Sequence, residues 1–163
     1  MITNELLEEI IRCPKIICRV EPKKPRIENR NMRRTFYLTS QDEKYNFNVF
    51  ERQSTEFLED FSYGLVWTNA NEHIGVNQNL ILFRCQGPHD GRRPIGTDVH
   101  HSYHTHVLSS DDIIQKRYRK PSERNDSDKF TTFSQASFYF FQLCGIINIE
   151  EYFESESQMT LYE

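Results

Sequence analysis

Five of the six histidines fall between residues 87 and 112, in the run GPHDGRRPIGTDVHHSYHTHVLSSDD: His89, His100, His101, His104 and His106. Histidine exchanges a proton near neutral pH and is a common metal ligand, so five within 18 residues mark a candidate site. His73 stands apart in a polar turn and is expected at the surface.

If residues 99–108 (VHHSYHTHVL) form a strand, side-chain alternation places His100, Ser102, His104 and His106 on one face. Val99, His101, Tyr103, Thr105 and Val107 then share the other, mostly apolar face, which should meet the core. His101 is accordingly expected to be structural. His104 and His106 would lie about 6–7 Å apart at the backbone, and His100 about 13 Å from His104.

Two chemistries suit such a set. His104 and His106 could bind one divalent metal, zinc for example, with His89 or His100 as a third ligand and an open position for catalysis. Alternatively, two of His89, His100, His104 and His106 could serve as general base and general acid in phosphodiester transfer without a metal. That reaction needs cations to neutralise phosphate, and Arg84, Arg92 and Arg93 are close in sequence. Between residues 87 and 110 the only acids are Asp90 and Asp98. This scarcity of carboxylates tilts the balance towards acid–base chemistry, with no cofactor.

The elements that must hold these residues follow from patterning. Thr3 can cap a first helix carrying Leu6, Leu7, Ile10 and Ile11, which Pro14 ends. Residues 15–21 and 34–39 read as strands joined by a basic loop opened by Pro22 and Pro25. Residues 45–51 alternate, with Tyr45, Phe47 and Val49 on one face and Asn46 and Asn48 on the other. Residues 62–67 and 79–86 supply two more strands, the second ending where the histidine-rich run begins. Ser109 or Ser110 can cap a helical or looped stretch, and residues 125–129 (NDSDK) read as a polar break. Residues 131–143 form an aromatic helix closed by Gly145, with Phe133, Phe140, Phe141 and Cys144 docking on the sheet. The expectation is one α+β domain over residues 1–163: an antiparallel sheet of five to six strands flanked by N- and C-terminal helices, with a loose tail over 154–163.

Composition bounds the partners. The net charge of −4 argues against general coating of nucleic acid. Yet residues 23–34 hold six basic groups against Glu28, and residues 116–124 hold five against Glu123. Such local patches can recruit a polyanion, making Lys23, Lys24, Arg33 and Arg34 candidate RNA contacts. Cys13, Cys18, Cys85 and Cys144 form no C-x-x-C pair, and the last three sit among apolar neighbours, which predicts free, mostly buried thiols. The sequence contains no membrane-length apolar run and its acidic start is unlike a signal peptide, so a cytoplasmic protein is expected.

Leu82-Phe83-Arg84, Gly87-Pro88-His89, Gly96-Thr97 and the His104-x-His106 pair, in that order, resemble the TumE-like toxins of bacterial toxin–antitoxin pairs and relatives with Pro-His and His-x-His motifs. The aromatic helix ending in LCGI is similar to the C-terminal helix of those relatives, so the resemblance spans residues 60–147. It differs in Asp98 and Val99 after Gly-Thr and in the additional His100-His101 pair. The resemblance implies an RNA-cleaving toxin of a toxin–antitoxin or phage-defence system, neutralised by a helix-turn-helix antitoxin. A histidine-ligated metalloprotein, hydrolase or sensor, and a non-catalytic inhibitor or binding protein are the alternatives.

Overall fold

The computed structural model describes residues 1–89, 102–119, 121 and 123–152. Seven strands form one sheet in sequence order: β1 (Lys15–Glu28), β2 (Asn31–Ser40), β3 (Asn46–Ser54), β4 (Phe61–Trp67), β5 (Leu80–Gln86), β6 (His104–Val107) and β7 (Glu123–Asp126). Every neighbouring pair is antiparallel. The fold is therefore the expected α+β type, with seven strands rather than five to six.

Two differences from the sequence expectation account for the larger sheet. The supposed basic loop is a continuation of β1 and β2 into a ribbon closed by Asn29 and Arg30, whose φ values of 48° and 64° suit a two-residue hairpin turn. Pro22 and Pro25 fall in the interval between the Glu21–Thr35 and Arg26–Arg33 pairs, where the ladder is irregular and a missing N–H costs little. The supposed polar break contains part of β7. All four of its residues are exposed, so it carries no apolar alternation, and only pairing with β6 makes it a strand.

Helices α1 (Asn4–Arg12) and α4 (Phe133–Leu143) cover one face of the sheet. Thr3 Oγ1 accepts from the Leu6 N–H at 3.1 Å, and Thr132 Oγ1 accepts from that of Gln135 at 3.1 Å, so each helix starts on a hydroxyl cap. Alternation then sorts the strands. Phe36, Phe47, Val49, Tyr63, Leu65 and Phe83 point to the helices, where Phe140 and Phe141 meet Tyr63 at 5.5 and 5.6 Å between ring centroids. Gly145 ends α4 at φ 68°, and a Cβ there would stand 2.5 Å from the Arg12 carbonyl oxygen.

A fully buried lysine ties the two helix ends together. Lys15 Nζ donates to the carbonyls of Ile11 (2.6 Å), Cys13 (2.9 Å) and Cys144 (2.9 Å). These oxygens lie at the C-terminal ends of α1 and α4, where orphan carbonyls and the helix dipole favour a cation. Two short helices, α2 (Ala70–Ile74) and α3 (Ser110–Ile114), complete the connections. Ser109, one of the two expected caps, forms a reciprocal capping box with the buried Asp112.

All four cysteines are free thiols; Cys85 and Cys144 are buried, whereas Cys18 is exposed, contrary to its apolar sequence context. Ile16 and Ile17 are its neighbours along β1, but the register shift between Ile17 and Arg19 leaves it unpaired in the ladder. The expected loose tail, residues 154–163, lies outside the described residues.

Candidate phosphodiester site on the open sheet face

The face of the sheet away from α1 and α4 carries the side chains of opposite parity. Its chemistry is concentrated in two cross-strand rows. One runs Phe50, Gly64, Arg84, His106 and Arg124 across β3 to β7; the other runs Ser62, Gln86, His104 and Asp126 across β4 to β7. Residues paired on one face of an antiparallel sheet have neighbouring Cβ atoms, so each row is a line of adjacent side chains.

The structure brings together His89, His104 and His106. His89 follows the end of β5, with its ring centroid 5.4 Å from that of His104, and His104 lies 4.9 Å from His106 in an edge-on arrangement. His104 and His106 thus share a face, as strand parity requires, while Thr105 turns to the helix side and Tyr103 packs against Phe61 and Phe130. His104 is 0% exposed and His106 6%, whereas His89 is half-buried. His104 Nδ1 donates to the Ser102 carbonyl at 2.8 Å, which fixes the ring and assigns the lone pair of its neutral form to Nε2. Ser102 Oγ in turn donates to Asp126 Oδ1 at 2.6 Å, joining the approach to β6 with β7.

Arg84 occupies the centre of the first row. Its Nε is buried and has no hydrogen-bond partner among the described residues, and no carboxylate among them pairs with it. Burial, with Arg124 adding like-charge repulsion, pushes its pKa below the ordinary arginine value. The guanidinium carbon lies 5.7 Å from the centre of the Phe50 ring. Phe50 itself lies over Gly64, where a Cβ would come within 2.1 Å of the ring. A half-buried cation facing a second cation favours an anion, because charge brought between them offsets both desolvation and repulsion.

Other expected site residues lie elsewhere. Arg34 turns inward: its side chain is 4% exposed and pairs with Glu51, Nε to Oε1 at 3.0 Å and Nη2 to Oε2 at 3.2 Å. Tyr63 donates its hydroxyl to the same carboxylate at 2.7 Å. The even residues of β2 face the core, so Arg34 is a core ion pair and not a phosphate contact. Lys23, Lys24 and Arg33 are exposed on the β1–β2 ribbon, and β2 lies four strands from β6. His73 is exposed and packs against Tyr45 with the rings tilted, 4.8 Å between centroids. Arg92, Arg93, His100 and His101 lie outside the described residues. Among the described residues no three His, Cys, Asp or Glu side chains are grouped to hold a metal ion.

Sequence reasoning missed Arg124, Asp126, Gln86 and Phe50. The signal for Gln86 and Phe50 was parity within their own strands. Arg124 was visible only as one member of the basic patch at 116–124, and for Asp126 there was no signal until β7 paired with β6. Among the described residues no helix is long and apolar enough to cross a membrane. Comparison with family models, curated proteins and solved structures returns no match to this chain.

Proposed function

We propose that this protein is an endoribonuclease, the activity implied by its resemblance to TumE-like toxins, and that it works without a metal, the reading favoured by the scarcity of carboxylates near its histidines. The observation that carries the reading is the Arg84–His106–Arg124 row with His104 and His89 beside it. Arginines on both sides of a histidine pair supply what phosphodiester transfer needs: charge neutralisation at phosphorus and groups that move protons.

In this mechanism His104 Nε2 removes the proton of a ribose 2′-hydroxyl. The oxygen attacks the adjacent phosphorus, and the bond to the 5′-oxygen breaks. His89, the least buried of the three, donates the proton that the leaving oxygen takes up. The products are a 2′,3′-cyclic phosphate and a 5′-hydroxyl, and His104 has gained the proton that His89 has lost. Arg84 and Arg124 hold the phosphate oxygens as charge builds there.

The test is expression of wild type against His104→Ala and His89→Ala, paired with cleavage of single-stranded RNA by purified protein in excess chelator. Wild type should arrest growth and release cyclic-phosphate ends, and each variant should lose at least about a hundredfold in rate, the scale of a lost acid–base group. Variants as toxic as wild type would sink the proposal.

The near-complete burial of His104 and His106 favours one other reading, a non-catalytic binding protein in which the rings are structural. It predicts intact RNA in the same assay and recovery of one stoichiometric host protein in a pull-down. A helix-turn-helix antitoxin encoded next to this chain would instead support the toxin.

A further inference from the structure

The open face also carries a cleft of about 480 Å³ whose role the phosphodiester chemistry leaves unassigned. Phe50, Val66, Ile81 and Tyr118 give it aromatic and aliphatic walls, and Gln78 and Asn79 supply side-chain amides. Arg119 completes the lining, so polar and apolar groups share the walls about equally. The volume falls in the range of roughly 300–1,000 Å³ typical of a small-ligand site.

Its position is set by an irregularity in β5. Ile81 pairs with Val66 and Phe83 with Leu65, so the register shifts at Leu82. Residues 81 and 84 are an odd number apart and would face opposite sides of a regular strand. The extra residue puts both on the open face, so that the cleft and Arg84 adjoin. Phe50 belongs to both, lining the cleft while its ring lies below the Arg84 guanidinium. Phe50 is three strands from His106, about 14 Å at the backbone, with Arg84 between.

We infer that this cleft holds a nucleobase next to the phosphate at Arg84, stacked on Tyr118 and contacted on its edge by Gln78 and Asn79. Flat aromatic walls accept any base face, and side-chain amides offer both a donor and an acceptor to a base edge. The inference rests on the ribonuclease reading and deepens it: the substrate is single-stranded, because a base within a duplex cannot enter the cleft.

Binding of two 2′-O-methyl RNA oligomers of equal length, one with normal bases and one abasic, separates the two claims. Wild type should prefer the base-containing strand about tenfold, the scale of one stacked base. Tyr118→Leu, which keeps apolar bulk, should reduce that preference to near unity, and Tyr118→Phe should restore it. Asn79→Ala should weaken the base-containing strand selectively. Equal binding of both oligomers by wild type, lost in Arg84→Gln, would overturn the base cleft while leaving the phosphate site standing. Binding of neither oligomer would remove the RNA reading and the cleft together.

Discussion

Single residues decide much of the stability here because several ionisable groups are sealed inside. Lys15 is buried with all three ammonium hydrogens directed at carbonyl oxygens. Lys15→Met should cost about 2–4 kcal/mol in urea unfolding, since it leaves buried acceptors at two helix ends without a donor. Burial pushes the Cys144 thiol from 9.0 up to about 12, raises Cys85, and, with the nearby Glu51 carboxylate, raises Tyr63 well above 10. The folded state keeps these protons where the unfolded chain has released them. Their contribution is therefore complete below the unfolded values and is lost as pH climbs through 9 and 10 towards the folded ones. Lys15 runs the opposite way, since burial lowers its pKa and the cost of its charge fades towards pH 10.5. Three acids outweigh one base, so stability should fall between pH 9 and 12. Cys144→Ala should flatten that fall by about 1.4 kcal/mol per pH unit, read from urea midpoints across the range.

At the scale of elements, the site depends on the weakest-looking strand. β7 is four exposed residues, yet it delivers Arg124 beside His106 and Asp126 beside His104. Asp126→Ala removes the tie from Ser102 Oγ and should raise amide hydrogen exchange across residues 123–126 more than in β3, with a global loss of about 1 kcal/mol. The capping box at α3 is a second such joint, because buried Asp112 also pairs with Arg117 at 3.0 Å. Ser109→Ala should cost about 1 kcal/mol in thermal or urea unfolding, as a lost N-cap does. Gly64 marks a third. A Cβ there meets the Phe50 ring, so Gly64→Ala must displace that ring and should destabilise by about 1–3 kcal/mol while weakening base-containing RNA.

On the scale of the whole molecule, the sheet separates two tasks. One face is filled by α1 and α4 and supplies the core; the other carries the buried His104 and His106, the half-buried His89 and Arg84, and the aromatic cleft. If RNA lies along the second face, its affinity should fall with salt in proportion to the phosphates contacted. Arg84→Gln should reduce the slope of log affinity against log salt by about 0.7, the value for one contact to a single strand. Lys23→Ala with Lys24→Ala, remote on the β1–β2 ribbon, reports whether the strand extends that far; an unchanged slope keeps it off the ribbon.

The sequence by itself determined what local physics controls. Thr3 and Ser109 as caps, the aromatic helix before Gly145, the alternation in residues 45–51 and the shared face of His104 and His106 all follow from neighbours a few positions away. Tertiary structure alone decided three things. Arg34 points inward because β2 pairs with β3 in a register that sets it against Glu51, which made a basic-looking cluster partly a core ion pair. Residues 123–126 became a strand because β6 offered them a ladder, not because of their own side chains. Arg84, known from sequence only as a nearby cation, came to lie between Phe50 and His106, at the centre of the candidate site, because of a register shift in β5 and the absence of a side chain at Gly64. Each depends on pairing between segments distant in the chain, and periodicity within a segment holds no information about its partner.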